Sequence, residues 1–344
     1  MKNKTGLKFN YTFLLLGFLV AILIVFTIAK PTMLWAPDTW KAMAIQFPEF
    51  GVFTLGVMLC FIIGCIDVSF VALGNFASIL AALLMRTVTD GTLPESDTGL
   101  IVLLAILLAL VVGGLGGLLN GSLISRLGIP PILATLATQM VFRGLSIALT
   151  RGDAVTGIPE IYGEIGHIYL LGIIPVPMLI FLIVFAICAF LLKCTTYGKK
   201  LYMIGSNPKA ARFSAINVTR MINVTFVING VIAALSALLM VNTYNSAKAD
   251  FGSSYLMRCI LILVLAGVLP DGGMGKILDV LISIVTIQII ASCVNMFPEL
   301  NTYYSSLISA ALLLITLMMT SYLFNPERKV RRAEKKEELP KESA

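Results

Sequence analysis

The chain has 344 residues, of which 58% are hydrophobic and 12% are charged. Soluble domains carry about 25% charged residues, so this composition excludes a water-soluble fold. The formal net charge of +7 does not indicate nucleic-acid binding, because most basic residues lie in segments that the apolar runs leave on one side. We therefore expect an all-α polytopic membrane protein that contacts lipid and has no nucleic-acid partner.

Ten apolar runs predict about ten transmembrane helices, since roughly 20 apolar residues cross a bilayer. The first run, Tyr11–Ala29, follows a basic start but precedes no small-x-small cleavage site, so we interpret it as an uncleaved span. The other nine runs are 51–66, 69–85, 99–124, 132–150, 175–192, 222–244, 256–268, 277–296 and 304–324.

The Lys and Arg residues divide unevenly between the two sides that these runs define. Eighteen of the 25 lie in segments predicted to be cytoplasmic and six in segments predicted to be external. The positive-inside rule therefore places the tails 1–10 and 326–344 in the cytoplasm, and 11–325 forms the transmembrane domain. Five runs before Thr150 and five after it permit two inverted halves, although no sequence repeat is evident.

The sequence contains no recognisable catalytic, nucleotide or metal site. The segment 270–278 reads PDGGMGKIL and lacks both the first Gly and the Ser or Thr of a phosphate loop. His167 has no Cys or carboxylate neighbour at ligand spacing, and the six Cys lie in or beside apolar runs. We therefore expect a transport subunit, not an enzyme, with no cofactor and no metal.

The segment 193–221 is the longest interior cytoplasmic connection, and it is basic. Gly205 and Asn207 interrupt it, and Asn207 followed by Pro208 predicts the start of a short helix. One interpretation is a solvated loop that only obeys the positive-inside rule. The length and the helix signals favour the other interpretation, a docking element for a partner protein.

Small residues recur within the run 99–124. Gly113, Gly117 and Gly121 are four residues apart, a spacing that lets two membrane helices approach closely. Asn120 on the same helix is expected to hydrogen-bond a neighbouring helix.

Asp67 is the one ionisable residue between Gly51 and Met85, where a carboxylate is costly unless it is paired or hydrated. Either it belongs to a broken helix whose backbone lines a cavity, or it caps a helix that starts near Ser69. We expect Asp67 to matter for transport more than for folding. With Asn75 and Asn120 it forms our candidate set for the translocation pathway.

Four stretches of the sequence resemble the monosaccharide-type ABC importer permeases, the ribose permease family. YGKKLYMIGSNPKAARFSAINVTR resembles the family's coupling loop, and GCIDVS resembles its Gly-Gly-Ile-Asp-Leu-Ser motif. LGIPPILATLATQMVFRGLSIALTRGDAV looks like the stretch after the fourth large span, and LAGVLPDGGMGKILDVLISI resembles a Gly-rich segment between later spans. These motifs keep the family's order over about 51–324.

The resemblance implies a multi-pass permease of the bacterial inner membrane that moves a sugar or sugar-like solute. It implies an ABC ATPase subunit on the cytoplasmic face, an external solute-binding protein, and a second permease subunit in a homodimer or heterodimer. ATPase coupling would involve Gly205, Asn207, Pro208, Ala211 and Arg212. The competing hypothesis is an ion-coupled secondary transporter without an ATPase, for which Asp67 is the clear candidate residue.

The chain also departs from the family pattern. Ser206 stands where the family usually has a second Gly, and Ala215 stands where it has Gly. Leu256, Met257 and Arg258 replace an acidic Glu-Leu-Asp. We expect Arg258 to lie on the external face, where the charge has therefore changed sign.

Overall fold

A computed structural model describes residues 11–91, 98–166, 168–170, 172, 174–296, 307 and 311. Their main elements are helices. In chain order the helices are α1 (Tyr11–Ala29), α2 (Pro31–Leu34), α3 (Pro37–Ile62), α4 (Phe70–Thr89), α5 (Thr98–Ser125), α6 (Pro131–Thr150), α7 (Glu160–Ile165), α8 (Val176–Cys194), α9 (Thr196–Ser206), α10 (Pro208–Phe213), α11 (Val218–Tyr244), α12 (Tyr255–Leu265) and α13 (Ile277–Asn295). Two short strands, β1 (Tyr169–Leu170) and β2 (Ile174–Pro175), pair antiparallel before α8.

In the described part of the chain, eight helices are long and apolar enough to cross a membrane: α1, α3, α4, α5, α6, α8, α11 and α13. The prediction of a helical, polytopic membrane protein is therefore confirmed. The run 256–268 is different, because α12 has 11 residues and is only about 16 Å long. The run 304–324 and the tails 1–10 and 326–344 lie outside the residues described, apart from residues 307 and 311.

Two helices end in the same way, at a glycine with left-handed backbone geometry. Gly64 follows the end of α3 with a φ of 79°, and Gly267 follows the end of α12 with a φ of 73°. In each case the residue after the glycine donates its N–H to the carbonyl five residues before it, at 2.9 Å. This arrangement satisfies the last carbonyls of a helix, and it ends α12 before that helix reaches span length.

The structure corrects the start of the second predicted span, because α3 begins at Pro37 and not near Gly51. The missed turns carry polar residues that lower the local hydropathy, among them Gln46 and Glu49. Glu49 is buried and accepts a hydrogen bond from a tyrosine of α12, whereas Gln46 is exposed and accepts one from Gln288 of α13 at 3.4 Å. A helix can carry a buried carboxylate where other helices donate hydrogen bonds to it.

The predicted close approach at Gly113, Gly117 and Gly121 is confirmed, and the partner helix is α11. A Cβ atom at Gly117 would lie 2.1 Å from the carbonyl oxygen of Phe226, and one at Gly113 would lie 2.3 Å from that of Gly230. The backbones of α5 and α11 are therefore in direct contact. Because lipid tails are as apolar as the side chains, this van der Waals contact stabilises the helix pair.

Candidate functional site

Two consecutive short helices, α9 and α10, occupy the basic segment 193–221. Asn207 separates them, and its side-chain oxygen accepts a hydrogen bond from the N–H of Ala210 at 3.0 Å. Pro208 occupies the first turn of α10. These are the N-terminal signals that the sequence contains, so the predicted short helix starting at Pro208 is confirmed.

The helix α10 has one buried side and one exposed side. Ala211 is buried on the inner side, whereas Arg212 is exposed. Phe213 is 93% exposed, more than any other large apolar side chain described. Aromatic and arginine side chains are the residue types that most often anchor protein interfaces. The exposed side of α10 therefore has the chemistry of a docking surface.

Hydrogen bonds fix α9 at both ends. The Tyr197 hydroxyl lies 2.8 Å from the Thr225 hydroxyl of α11, and the Tyr202 hydroxyl donates to the Gly275 carbonyl at 2.8 Å. Burial raises the pKa of the Tyr202 hydroxyl above its ordinary value, so this group remains a protonated donor at neutral pH. We conclude that α9 is braced between α11 and the segment that precedes α13.

The end of α9 meets two other backbone segments at Gly205. The N–H of Gly273 donates to the carbonyl of Ile62, the last residue of α3, at 2.8 Å. A Cβ atom at Gly205 would lie 1.9 Å from the Ile62 oxygen and 2.3 Å from the Gly273 nitrogen. We call Ile62, Gly205 and Gly273 the glycine junction. It joins α9 to the end of α3 and to the Gly-rich segment without an intervening side chain.

Ala215, just after α10, has a φ of 57°. This left-handed conformation costs a residue with a Cβ atom roughly 1–2 kcal/mol. The structure thus explains why the resembling family has Gly at this position. In this chain the turn between α10 and α11 is strained.

Asp67 lies in the break between α3 and α4 and is fully buried. One of its oxygens accepts from the N–H and the hydroxyl of Ser69 at 2.8 and 2.7 Å. The other oxygen accepts from Asn229 of α11 at 2.7 Å. Asn120 of α5 donates to the Ser69 hydroxyl at 2.7 Å, so its expected bond to a neighbouring helix is confirmed. We call these four residues the Asp67 network.

The structure combines features of both interpretations of Asp67: the helix is broken there, and the carboxylate forms a turn that leads into α4. Asn75 lies elsewhere, because its amide donates to the carbonyls of Ala249 and Phe251 at 3.2 and 2.8 Å. The structure therefore brings Asp67 and Asn120 together, and it places Asn75 against the loop between α11 and α12. None of the three lines the cavity described next.

A cavity of about 280 Å³ lies between α3, α11, α12 and α13, and we call it the polar cavity. Glu49 accepts hydrogen bonds from the hydroxyls of Tyr255 and Tyr244 at 2.8 and 3.4 Å. The Arg258 guanidinium lies 5.2 Å from the centre of the Phe50 ring. Arg258 lies in the first turn of α12, which begins at Tyr255, and it lines this cavity.

Comparison with known proteins identifies the family. The family model described as "branched-chain amino acid transport system / permease component" matches residues 41–317. This match includes every element from the first turns of α3 to α13. The chain belongs to this permease family.

Curated relatives of the permease have similar lengths. The autoinducer 2 import system permease protein LsrD of Photorhabdus laumondii subsp. laumondii is 29% identical over 319 residues, covering 91% of this chain and 92% of the relative. The ribose import permease protein RbsC of Bacillus subtilis is 31% identical over 306 residues, covering 88% of this chain and 90% of the relative. No solved structure matches the permease significantly.

These comparisons confirm the predicted resemblance to monosaccharide-type importer permeases. The permease is a transport subunit and not an enzyme, and it is a multi-pass protein of the inner membrane. Membership implies an ATPase and a solute-binding protein as partners. The comparisons favour an ABC importer over the ion-coupled alternative.

Two notable residues of the permease, Phe213 and Glu49, are not evident from the sequence. Phe213 was not singled out, because hydropathy predicts burial for a phenylalanine and only the structure shows its exposure. Glu49 lies before the predicted run 51–66, so the sequence does not mark it as part of a span. A signal for Glu49 existed, since a carboxylate so close to an apolar run requires a partner in the membrane.

Proposed function

We propose that the permease forms the membrane pathway of an ATP-driven importer for a sugar or sugar-like solute that an external binding protein delivers. The names of its relatives, which import ribose and autoinducer 2, support this class of solute. The observation that carries the proposal is the exposed helix α10 at the end of the braced helix α9. An element that receives motion from an ATPase must be exposed on one side and held firmly on the other.

The five residues of the coupling segment have separate roles in this proposal. Asn207 and Pro208 fix the start of α10, Ala211 holds its inner side, and Arg212 contacts the ATPase together with the exposed Phe213. Gly205 then passes the motion of α9 to the end of α3 through the glycine junction. Because packed backbones are bistable and not continuously deformable, a small shift at α10 can switch the helices between two arrangements.

We place the three candidate pathway residues in two different regions of the permease. Asp67 and Asn120 join the break after α3 to α5 and α11, so a movement of α3 reaches these helices through the Asp67 network. Asn75 holds the loop between α11 and α12, which we place on the external side. In this proposal these residues control the opening of the pathway and do not bind the solute directly.

We propose ten spans, with both termini in the cytoplasm and two inverted halves. Contacts between loops support this topology. Three segments expected on the cytoplasmic side meet at the glycine junction, and two segments expected on the external side pair at Val155 and Ala247. The similar endings of α3 and α12, each at a left-handed glycine, support the inverted halves.

A cysteine at Lys209 tests this topology when it is compared with one at Glu95, which lies outside the described residues. We expect an impermeant thiol reagent added to intact cells to modify the cysteine at Glu95 and spare the one at Lys209. The opposite pattern of labelling would reverse the proposed orientation.

We also propose that the pathway is shared with a second permease subunit, either an identical or a related chain. Native mass spectrometry of the purified importer measures the number of permease chains directly. We expect two permease chains for each complex, and a single chain would contradict the proposal.

Uptake into proteoliposomes tests the function itself. We expect the permease to co-purify with an ATPase subunit and to support uptake that needs ATP but persists when ionophores dissipate the ion gradients. Arg212→Glu reverses a charge on the docking surface while keeping a good helix former, and a like charge at an interface costs several kcal/mol. Normal abundance with weakened ATPase association is the expected result. Uptake driven by an ion gradient without ATP would contradict the importer.

A further inference from the structure

A second cavity, which we call the basic cavity, lies where the span α8 ends and the span α11 begins. The first residues of α9 line it, and they follow the end of α8 at Cys194. The first two turns of α11, which begins at Val218, line it as well, together with the turn before that helix. The ends of apolar spans lie at the level of the lipid headgroups. The basic cavity is therefore at the surface of the membrane.

Two cations line the basic cavity, and none of the described residues that line it is acidic. Lys200 of α9 and Arg220 of α11 are both exposed. Neither of them forms an ion pair within the described part of the chain. The sequence contains no Asp or Glu from 165 to 249. The basic cavity therefore presents uncompensated positive charge to any ligand that enters it.

Neutral donors complete the polar part of the basic cavity. The Asn217 Oδ1 atom accepts a hydrogen bond from the backbone N–H of Arg220 at 2.9 Å, which leaves the amide hydrogens of Asn217 as donors. The exposed residue Thr196 adds a hydroxyl. Tyr197 instead holds the wall in place, because its hydroxyl lies 2.8 Å from that of Thr225. Two cations and two neutral donors form a set of groups that suits the oxygens of a phosphate.

The remaining part of the lining is apolar and extends into the membrane. Met221 and Val224 of α11 line the cavity beside Arg220, and Val224 is 38% exposed. Val224 comes six positions after Val218, the first residue of α11, which is about 9 Å along the helix axis. A protein that docks from the aqueous side does not reach this depth, whereas lipid chains fill it. The basic cavity therefore has a charged part at the level of the headgroups and an apolar part at the level of the chains.

We propose that the basic cavity binds one anionic phospholipid of the cytoplasmic leaflet, the side on which we place α9 and α10. The lipid phosphate lies between Lys200 and Arg220 and accepts from Asn217, and an acyl chain follows Met221 and Val224. The volume of about 440 Å³ is within the range of ligand pockets, and basic pockets between membrane helices bind anionic headgroups in this way. The bound lipid joins α9 to α11 from the membrane side, next to the docking helix α10. This site goes beyond the proposed transport function, because lipid binding does not depend on the solute.

Native mass spectrometry measures lipid binding to the permease without requiring transport. The full-length permease is purified in detergent with any ATPase that accompanies it, and it is titrated with dioleoylphosphatidylglycerol or with dioleoylphosphatidylcholine, whose headgroup has no net charge. The test variant is Lys200→Gln/Arg220→Gln, which keeps polar side chains at both exposed positions but removes their charges. Its matched control is Lys193→Gln/Lys199→Gln, which removes two exposed basic residues of the same connection that do not line the basic cavity.

We expect the parent and the matched control to bind the first phosphatidylglycerol about 25-fold more tightly than phosphatidylcholine, because each of two basic residues contributes a factor of roughly five. The test variant should lose this preference. Thermal unfolding then identifies the source of the phosphate, since a ligand that binds only the folded state raises the unfolding temperature. Phosphatidylglycerol should raise the unfolding temperature of the parent, and sn-glycerol 3-phosphate at about 10 mM should not, because it lacks the acyl chains.

Four results would overturn the lipid site. The first is equal affinity of the parent for the two lipids, or an unchanged preference for phosphatidylglycerol in the test variant. The second is an equal loss in the matched control, which would indicate a general attraction of the basic connection to anionic lipid. The third is an equal rise in unfolding temperature with sn-glycerol 3-phosphate, which would assign the cavity to a soluble phosphate compound. The fourth is loss of the ATPase from the test variant with unchanged lipid binding, which would assign the cavity to the ATPase interface.

Discussion

Substituting Gly205 by alanine perturbs the glycine junction by a single methyl group. The new Cβ atom would lie 1.9 Å from the Ile62 oxygen, whereas real Cβ contacts shorter than 3.0 Å are essentially never seen. The backbones must therefore separate by about an ångström, and the 2.8 Å hydrogen bond from Gly273 to Ile62 is lost. Overpacking costs about 1–3 kcal/mol and the lost hydrogen bond about 1 kcal/mol. The packed arrangement of the glycine junction should therefore become less stable by about 2–4 kcal/mol, the sum of these two costs.

The assay compares ATP hydrolysis and solute uptake in proteoliposomes, both normalised to the amount of folded permease. We expect Gly205→Ala to keep ATPase association, because α10 is unchanged, and to lower uptake per ATP by at least about tenfold, since 1.4 kcal/mol corresponds to that factor. Ser206→Ala is the matched control, because its exposed hydroxyl bonds only to the Tyr202 carbonyl of its own helix. If Gly205→Ala matches the parent in abundance and in uptake per ATP, the junction does not transmit the motion.

Four further substitutions test other parts of the structure. Phe213→Ala should weaken ATPase association about 30-fold, as truncating an interface anchor costs about 2 kcal/mol; unchanged co-purification would remove Phe213 from the interface. Ala215→Gly should raise the free energy of unfolding of the permease by up to about 1 kcal/mol, because it relieves the strained turn. A lower free energy of unfolding would refute the strain. Gly117→Ala should destabilise the permease by at least about 2 kcal/mol. Gly114→Ala is the control and should not destabilise it, because its Cβ atom would meet Val231 at an ordinary 3.4 Å. Equal thermal unfolding of the two variants would contradict the α5–α11 contact. Asp67→Asn brings an amide N–H₂ against Asn229 or Ser69 at a cost of about 1–3 kcal/mol, and we expect uptake to fall more than membrane abundance; full uptake would remove Asp67 from the mechanism, and a loss of abundance would favour a helix cap.

Local signals made parts of this structure predictable from the sequence. Hydropathy found eight helices of span length, because lipid requires an apolar surface and internally satisfied backbones. The start of α10 followed from Asn207 and Pro208, whose capping preferences depend on neighbouring residues only. The spacing of Gly113, Gly117 and Gly121 likewise marked a contact face, although it did not identify α11 as the partner.

Features that depend on distant residues were not predictable in the same way. The start of α3 is not evident from hydropathy because Gln46 and Glu49 are polar, and the burial of Glu49 depends on hydroxyl donors from α11 and α12. The shortness of α12 depends on the turn at Gly267, which hydropathy does not register. The requirement for glycine at position 205 arises from the carbonyl of Ile62, a residue far away in the chain.

The central claim is that the ATPase docks on α10, and photo-crosslinking in native membranes tests it most directly. A photoreactive phenylalanine analogue replaces Phe213, which is 93% exposed, and in a control it replaces Ile161 of α7, which is 49% exposed. We place these two positions on opposite sides of the membrane. The account predicts an ATPase cross-link from position 213 and none from position 161. A cross-link from position 161, or none from position 213 in an importer that is active with ATP, would contradict it.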